Sequence, residues 1–249
     1  MARTNKTYSK ADADRLIKEL DDNSKIKLRS TSELQAPCRD NTFDIIKDSI
    51  GVTFPEELKA FYSQTNGLTI VWEYNNTVTG EIHIVPIMDT ILDEYDESWK
   101  AQMEKSKSLD NPQFQTFIQN LYSLDIYEET TQGTIRVVME IDKTSKPTQP
   151  KLWLWHLAGE RFPLSLSFHE YIDKLTESRG FFGWQYFFID LRSCNFNDPY
   201  FSKFFAQSCQ DALSRMKDFL EIMPKLFPSD DFSEFKKLQQ KLVENYQSG

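Results

Sequence analysis

The strand-like runs of this chain come in pairs, and turn residues rather than helices separate the members of each pair. Residues 68–74 (LTIVWEY) lead to 81–87 (EIHIVPI) through 75–80 (NNTVTG), and 133–141 (GTIRVVMEI) lead to 151–157 (KLWLWHL) through the polar, proline-bearing 142–150. The runs are rich in Val, Ile, Trp and Tyr, the residues that suit a pleated, half-buried surface. Parallel βαβ alternation is absent, which argues against a doubly wound parallel sheet. The fold class that follows is α+β.

Helical signals fill the rest. Ser9 can cap a helix whose Ala13, Leu16, Ile17 and Leu20 share one face. A polar stretch over 21–40 reads as a linker, and Phe43, Ile46 and Ile50 mark a second short helix. Residues 111–127 carry Phe114, Phe117, Ile118 and Leu121 at helical period, and Ser167 with Glu170 has capping-box spacing before Phe168, Ile172 and Leu175. Beyond Gly180, eleven aromatics crowd into 181–205, and their density reads as packing of C-terminal helices onto the sheet, with an exposed recognition patch or homodimer surface as the alternative. Asp198–Pro199 opens a long helix with Ala212, Met216, Phe219 and Met223 on one side. Pro224 and Pro228 interrupt it, and Ser229 caps a last helix.

Within this frame, residues 50–68 read IGVTFPEELKAFYSQTNGL. Pro55 suits the first turn of a helix, where its missing N–H is no loss, and Glu56 and Glu57 sit well at the positive end of the helix dipole. Leu58, Phe61 and Tyr62 form an apolar face, and Gly51 and Gly67 supply left-handed residues that stop two successive helices. The order of apolar–Gly, apolar–Pro, an acidic pair, an apolar–aromatic helix and Asn66–Gly67 resembles the signature of the SUKH superfamily, also called the SMI/KNR family. The strand at 81–87 and the strand-to-helix segment at 163–175 resemble that family's later elements. The chain departs from the pattern at Leu68, where the family has a second glycine, and near Lys47, where an acid is common. The resemblance covers residues 40–175 and implies a mixed antiparallel sheet flanked by helices, to which the chain adds an α-helical C-terminal extension. The expected organisation is an N-terminal helix and linker (1–39), a SUKH-like domain (40–178) and a helical C-terminal extension packed on it (179–249). Gly51, Pro55, Asn66 and Gly67 are architectural in this reading, not catalytic.

The resemblance implies a binding module. Bacterial members of the superfamily are largely immunity proteins that neutralise toxins, often nucleases. Fungal relatives act through protein partners as regulators of cell-wall synthesis. The charge agrees with protein binding: the net charge is −9, which disfavours direct contact with a phosphate backbone. It is also concentrated, with ten acids against three bases over 89–129. There DEYDESW and IYEE interleave acids with aromatics, a composition that can steer and hold a basic protein such as a toxin domain. The candidate contacts are Asp93, Glu94, Tyr95, Asp96, Glu97, Glu128 and Glu129.

Catalytic signals are weak. His83, His156 and His169 have no partners at metal spacing, the three cysteines (Cys38, Cys194, Cys209) form no CxxC pair, and no HExxH, P-loop, GxGxxG or GxSxG occurs. No catalytic residue, metal or cofactor is expected, although scattered carboxylates keep a hydrolase as a further alternative to immunity and scaffold roles. The dispersed cysteines and the lack of a signal-like or membrane-spanning apolar run point to a cytoplasmic protein.

Overall fold

A computed structural model describes residues 9–31, 36–92, 112–127, 135–141, 149–156, 161–189 and 199–247. Its centre is one seven-stranded sheet in which every pairing is antiparallel and spatial order equals chain order. The strands are β1 (Ile26–Thr31), β2 (Leu68–Tyr74), β3 (Thr77–Ile84), β4 (Leu121–Tyr127), β5 (Ile135–Glu140), β6 (Lys151–His156) and β7 (Arg161–Pro163). The helices are α1 (Lys10–Asp21), α2 (Thr42–Ile50), α3 (Glu56–Tyr62), α4 (Ile87–Leu92), α5 (Pro112–Gln119), α6 (Phe168–Ser178), α7 (Pro199–Leu226) and α8 (Ser233–Gln247), with a 3-10 segment at Trp184–Phe188. The α+β expectation holds. None of the described helices is long and apolar enough to cross a membrane.

Several elements differ from their sequence reading. The stretch taken as a linker supplies β1, which pairs along β2 with Leu28 opposite Trp72. Its exposed Lys27 and Arg29 form ion pairs with the buried Glu73 carboxylate. β3 begins at Thr77 because the hairpin turn is only Asn75–Asn76, both at positive φ, the backbone that a two-residue turn demands. The helical period over 111–127 fails at its second half. Leu121–Tyr127 is β4 and is buried along its whole length, so no alternation betrays it as a strand. Pro224 does not break α7, since near the C-terminus a missing N–H forfeits a single intrahelical bond. The final helix starts at Ser233, with Asp231 accepting its N–H at 2.8 Å, in place of a cap by Ser229.

The glycine and asparagine of the 50–68 motif have local causes. Gly51 ends α2 in the left-handed region. Gly67 stands beyond the end of α3 and does not stop it: a Cβ there would lie 2.9 Å from the Ile84 carbonyl oxygen, so the site admits only glycine at φ +123°. Asn66 Oδ1 accepts the Ile87 N–H at 3.0 Å and thereby starts α4. The motif thus joins the exit of α3 to the entry of α4 across the end of β3.

One face of the sheet carries the main core, built with α1, α2, α3, α6, α7 and α8. The opposite face is covered over β4–β6 by α5, through Ile118, Leu121, Val138 and Trp155. Phe219 of α7 is a hub, with ring centroids at 4.6 Å from Phe235, 5.2 Å from Phe187, 5.3 Å from Phe181 and 5.7 Å from Phe232. Burying such a ring is worth about 2–3 kcal/mol, and edge-on partners add roughly 0.5–1.5 kcal/mol a pair. The described part of the aromatic run, 181–189, is therefore core. Arg179 ties the periphery together. Its guanidinium meets Glu19 of α1 and, at 2.6 Å, Asp230, and lies 3.8 Å over Phe227, while its carbonyl accepts the Trp72 indole N–H at 2.8 Å. Asn23 and Lys25 donate to the last carbonyls of α7, at Leu226 and Lys225, which closes the C-terminal helices against the N-terminal turn.

Candidate functional site

The sheet forks between β3 and β4, and a strap of chain enters the fork. Only Ile84 of β3 pairs with β4, opposite Asp125. Upstream, β3 takes residues 180–182 instead: Glu81 N–H donates to the Gly180 carbonyl and Phe182 N–H to that of Thr79, both at 2.9 Å. The strap then crosses to the far edge, where Ser165 N–H donates to the Phe188 carbonyl at 2.7 Å. Two polar constellations result, one sealed and one open.

The sealed one centres on Asp125. A bulge between Ser123 and Asp125 turns the carboxylate into the fork. Oδ1 accepts the His83 backbone N–H at 2.9 Å, a donor that the fork leaves without a strand partner. Oδ2 accepts the hydroxyls of Tyr127 and Tyr171 at 2.8 and 2.7 Å. The Tyr127 oxygen in turn accepts from the Trp184 indole at 3.3 Å and from the Gln185 amide. Burial raises the Asp125 pKa, opposed by the hydrogen bonds from Tyr171, His83 and Tyr127. Burial, and then the Asp125 charge, push both phenols well above their usual range. Asp125, Tyr127 and Tyr171 are all fully inside, so no substrate reaches them. This network fastens the strap to β4 and α6.

The open constellation is a cleft of about 330 Å3 where β5 begins, β6 ends and α7 passes. Ile135, His156, Phe182, Tyr186, Asp211, Ser214, Arg215 and Asp218 line it. Tyr186 Oη and His156 Nε2 are 2.9 Å apart. Burial lowers the His156 pKa to about 4, so the ring is neutral near pH 7. The Arg215 guanidinium lies 4.4 Å over the Phe182 ring, and burial lowers its pKa as well.

The acidic candidates Asp93, Glu94, Tyr95, Asp96, Glu97, Glu128 and Glu129 all lie outside the described residues. One acid of the same stretch is corrected: Asp125 is core and adds nothing to a surface. Of the histidines, His83 serves the fork through its backbone, His169 stands 3.6 Å from the Asp173 carboxylate one turn away, and His156 lines the cleft. Among the described residues no group of three or more His, Cys, Asp or Glu is placed to hold a metal ion. Burial raises the thiol pKa of Cys38, which disfavours the reactive thiolate. The cleft was missed from sequence, although one signal was present: Asp211, Ser214, Arg215 and Asp218 recur at i, i+3, i+4, i+7 and form one polar helix face.

Residues 37–174, more than half of the chain, match the SMI1 / KNR4 family (SUKH-1). The matched span coincides closely with the one that the 50–68 motif and its later companions outline. A search of curated proteins finds no match. The matched span includes Asp125, Tyr127, Tyr171 and His156, whereas Phe182, Tyr186 and the α7 lining of the cleft lie beyond it.

Proposed function

The chain belongs to the SMI1 / KNR4 family (SUKH-1), and on that premise we propose that it is a non-catalytic protein-binding module of the immunity type. It neutralises a toxin by covering the toxin's working surface. The observation that carries this reading is the concentration of negative charge in a family whose members bind proteins. Asp89, Asp93, Glu94, Asp96, Glu97, Glu104, Asp110, Glu128 and Glu129 stand against Lys100, Lys105 and Lys107. Opposed charge speeds encounter and fixes orientation, so the partner is a basic protein domain, for which a nuclease toxin is a fitting class. Asp93, Glu94, Asp96, Glu97, Glu128 and Glu129 supply the field, and Tyr95 an aromatic anchor.

The test is a tagged pull-down from the native cell with mass spectrometry, run beside a variant carrying Asp93→Lys, Glu94→Lys, Asp96→Lys and Glu97→Lys. Capture of one basic secreted effector, lost in the variant, is the expected result. The same effector retained by the variant refutes the acidic site. Signalling or envelope-building proteins in its place refute immunity and favour a scaffold.

A further inference from the structure

The α7 side of the open cleft holds an arginine whose hydrogen-bonding capacity is unspent. Among the described residues the Arg215 guanidinium makes no ion pair and no hydrogen bond; its contact is the Phe182 ring at 4.4 Å. Asp211 and Asp218 sit one turn to either side on the same helix and act on Arg215 through their charge, against the lowering by burial, without forming an ion pair with it. The stem is held in place. It presses on Gly183, where a Cβ would come within 2.8 Å of the Arg215 Cβ. A half-buried guanidinium, fixed on a ring with its donor fork open, is preorganised for a carboxylate, whose two oxygens match the fork.

The rest of the lining restricts the anion. Asp218 stands beside the one arginine and His156 is neutral, so a phosphate or other dianion meets an acid next to its only cation in the lining. A ligand with its own positive group escapes that repulsion. Asp218 is exposed at the rim and can receive an ammonium. Ser214 offers a hydroxyl, and Ile135 with Phe182 offers an apolar wall. The cleft volume is at the small end of the roughly 300–1,000 Å3 usual for ligand pockets, which suits a metabolite-sized molecule.

We propose that this cleft binds a small zwitterion of the α-amino-acid class, with its carboxylate on the Arg215 fork and its ammonium on Asp218. The ligand touches β5 and β6 on one side and α7 on the other, so binding strengthens the seating of the C-terminal helices. The proposal does not depend on the reading of the acidic segment as the protein partner's site.

The experiment is titration calorimetry with thermal unfolding on the full chain. Glycine, L-glutamine and L-arginine are the zwitterionic probes, and acetate, methylammonium and inorganic phosphate the single-charge controls. At least one amino acid is expected to bind one-to-one and raise Tm, with each control at least about tenfold weaker. Arg215→Gln and Asp218→Asn are each expected to weaken binding about tenfold or more with unchanged circular dichroism. Asp218→Asn alters an exposed rim residue and keeps the test alive if Arg215→Gln fails to fold. The proposal is overturned if no amino acid binds at ~10 mM, if acetate or phosphate binds as tightly, or if Asp218→Asn binds like the native protein.

Discussion

Replacing Arg179 with alanine removes the cation shared by α1 and the turn between α7 and α8. The Arg179 side chain is 7% exposed, while its carboxylate partners Glu19 and Asp230 retain 42% and 33% of their exposure. Removing one partner of a fully buried pair costs about 3–5 kcal/mol. Here water can re-solvate the two acids, so the low end applies, and loss of the Phe227 ring contact adds roughly 0.5–1 kcal/mol. The expected total is about 3–4 kcal/mol, which for a chain of this size lowers Tm by roughly 10 °C. The backbone supplies an internal control. Arg179 has φ +54°, a conformation that costs a side-chain-bearing residue about 1 kcal/mol relative to glycine. Arg179→Gly should therefore be less destabilising than Arg179→Ala by about that amount, although it removes the same interactions. Urea denaturation and calorimetry of the two variants, with Glu19→Gln and Asp230→Asn to complete double-mutant cycles, measure both terms. An Arg179→Ala loss below about 1 kcal/mol, within the range of an exposed surface pair, refutes Arg179 as a tie between these elements. A glycine variant no more stable than the alanine variant refutes the backbone argument.

Tyr127→Phe takes one donor from Asp125 and leaves the Trp184 indole and Gln185 amide without their acceptor; the expected loss in urea denaturation is about 1–3 kcal/mol. His156 has a folded pKa of about 4, below its unfolded value of about 6.5. The unfolded chain therefore takes up the proton first, and stability falls as pH drops from about 6.5 towards about 4. Asp125, with its pKa raised, contributes the opposite slope as pH falls through its own range. Subtracting the pH–stability curve of His156→Gln from that of the native protein isolates the histidine, and an unchanged curve removes its burial as the cause.

What was legible in the sequence was what local pattern encodes. The strands at β2, β5 and β6, the capped α6 and the apolar face of α7 follow from periodicity and cap spacing that act over a few residues. The 50–68 motif outlined the family span because its Gly51, Asn66 and Gly67 answer local demands of helix ends and a close strand crossing. β4 was illegible because a strand buried on both faces loses its alternation, and β1 because its polar residues face outward from an edge.

The sequence alone determined the α+β class, the family span and the position of the acidic segment along the chain, since each rests on short-range order or on composition. The fork at Asp125, the strap through it and the Arg215 cleft were decided only by tertiary structure. They bring together residues as distant as His83 and Asp125, or His156 and Arg215. Their hydrogen bonds, burial and pKa shifts arise when water is expelled between them, and no local pattern records that.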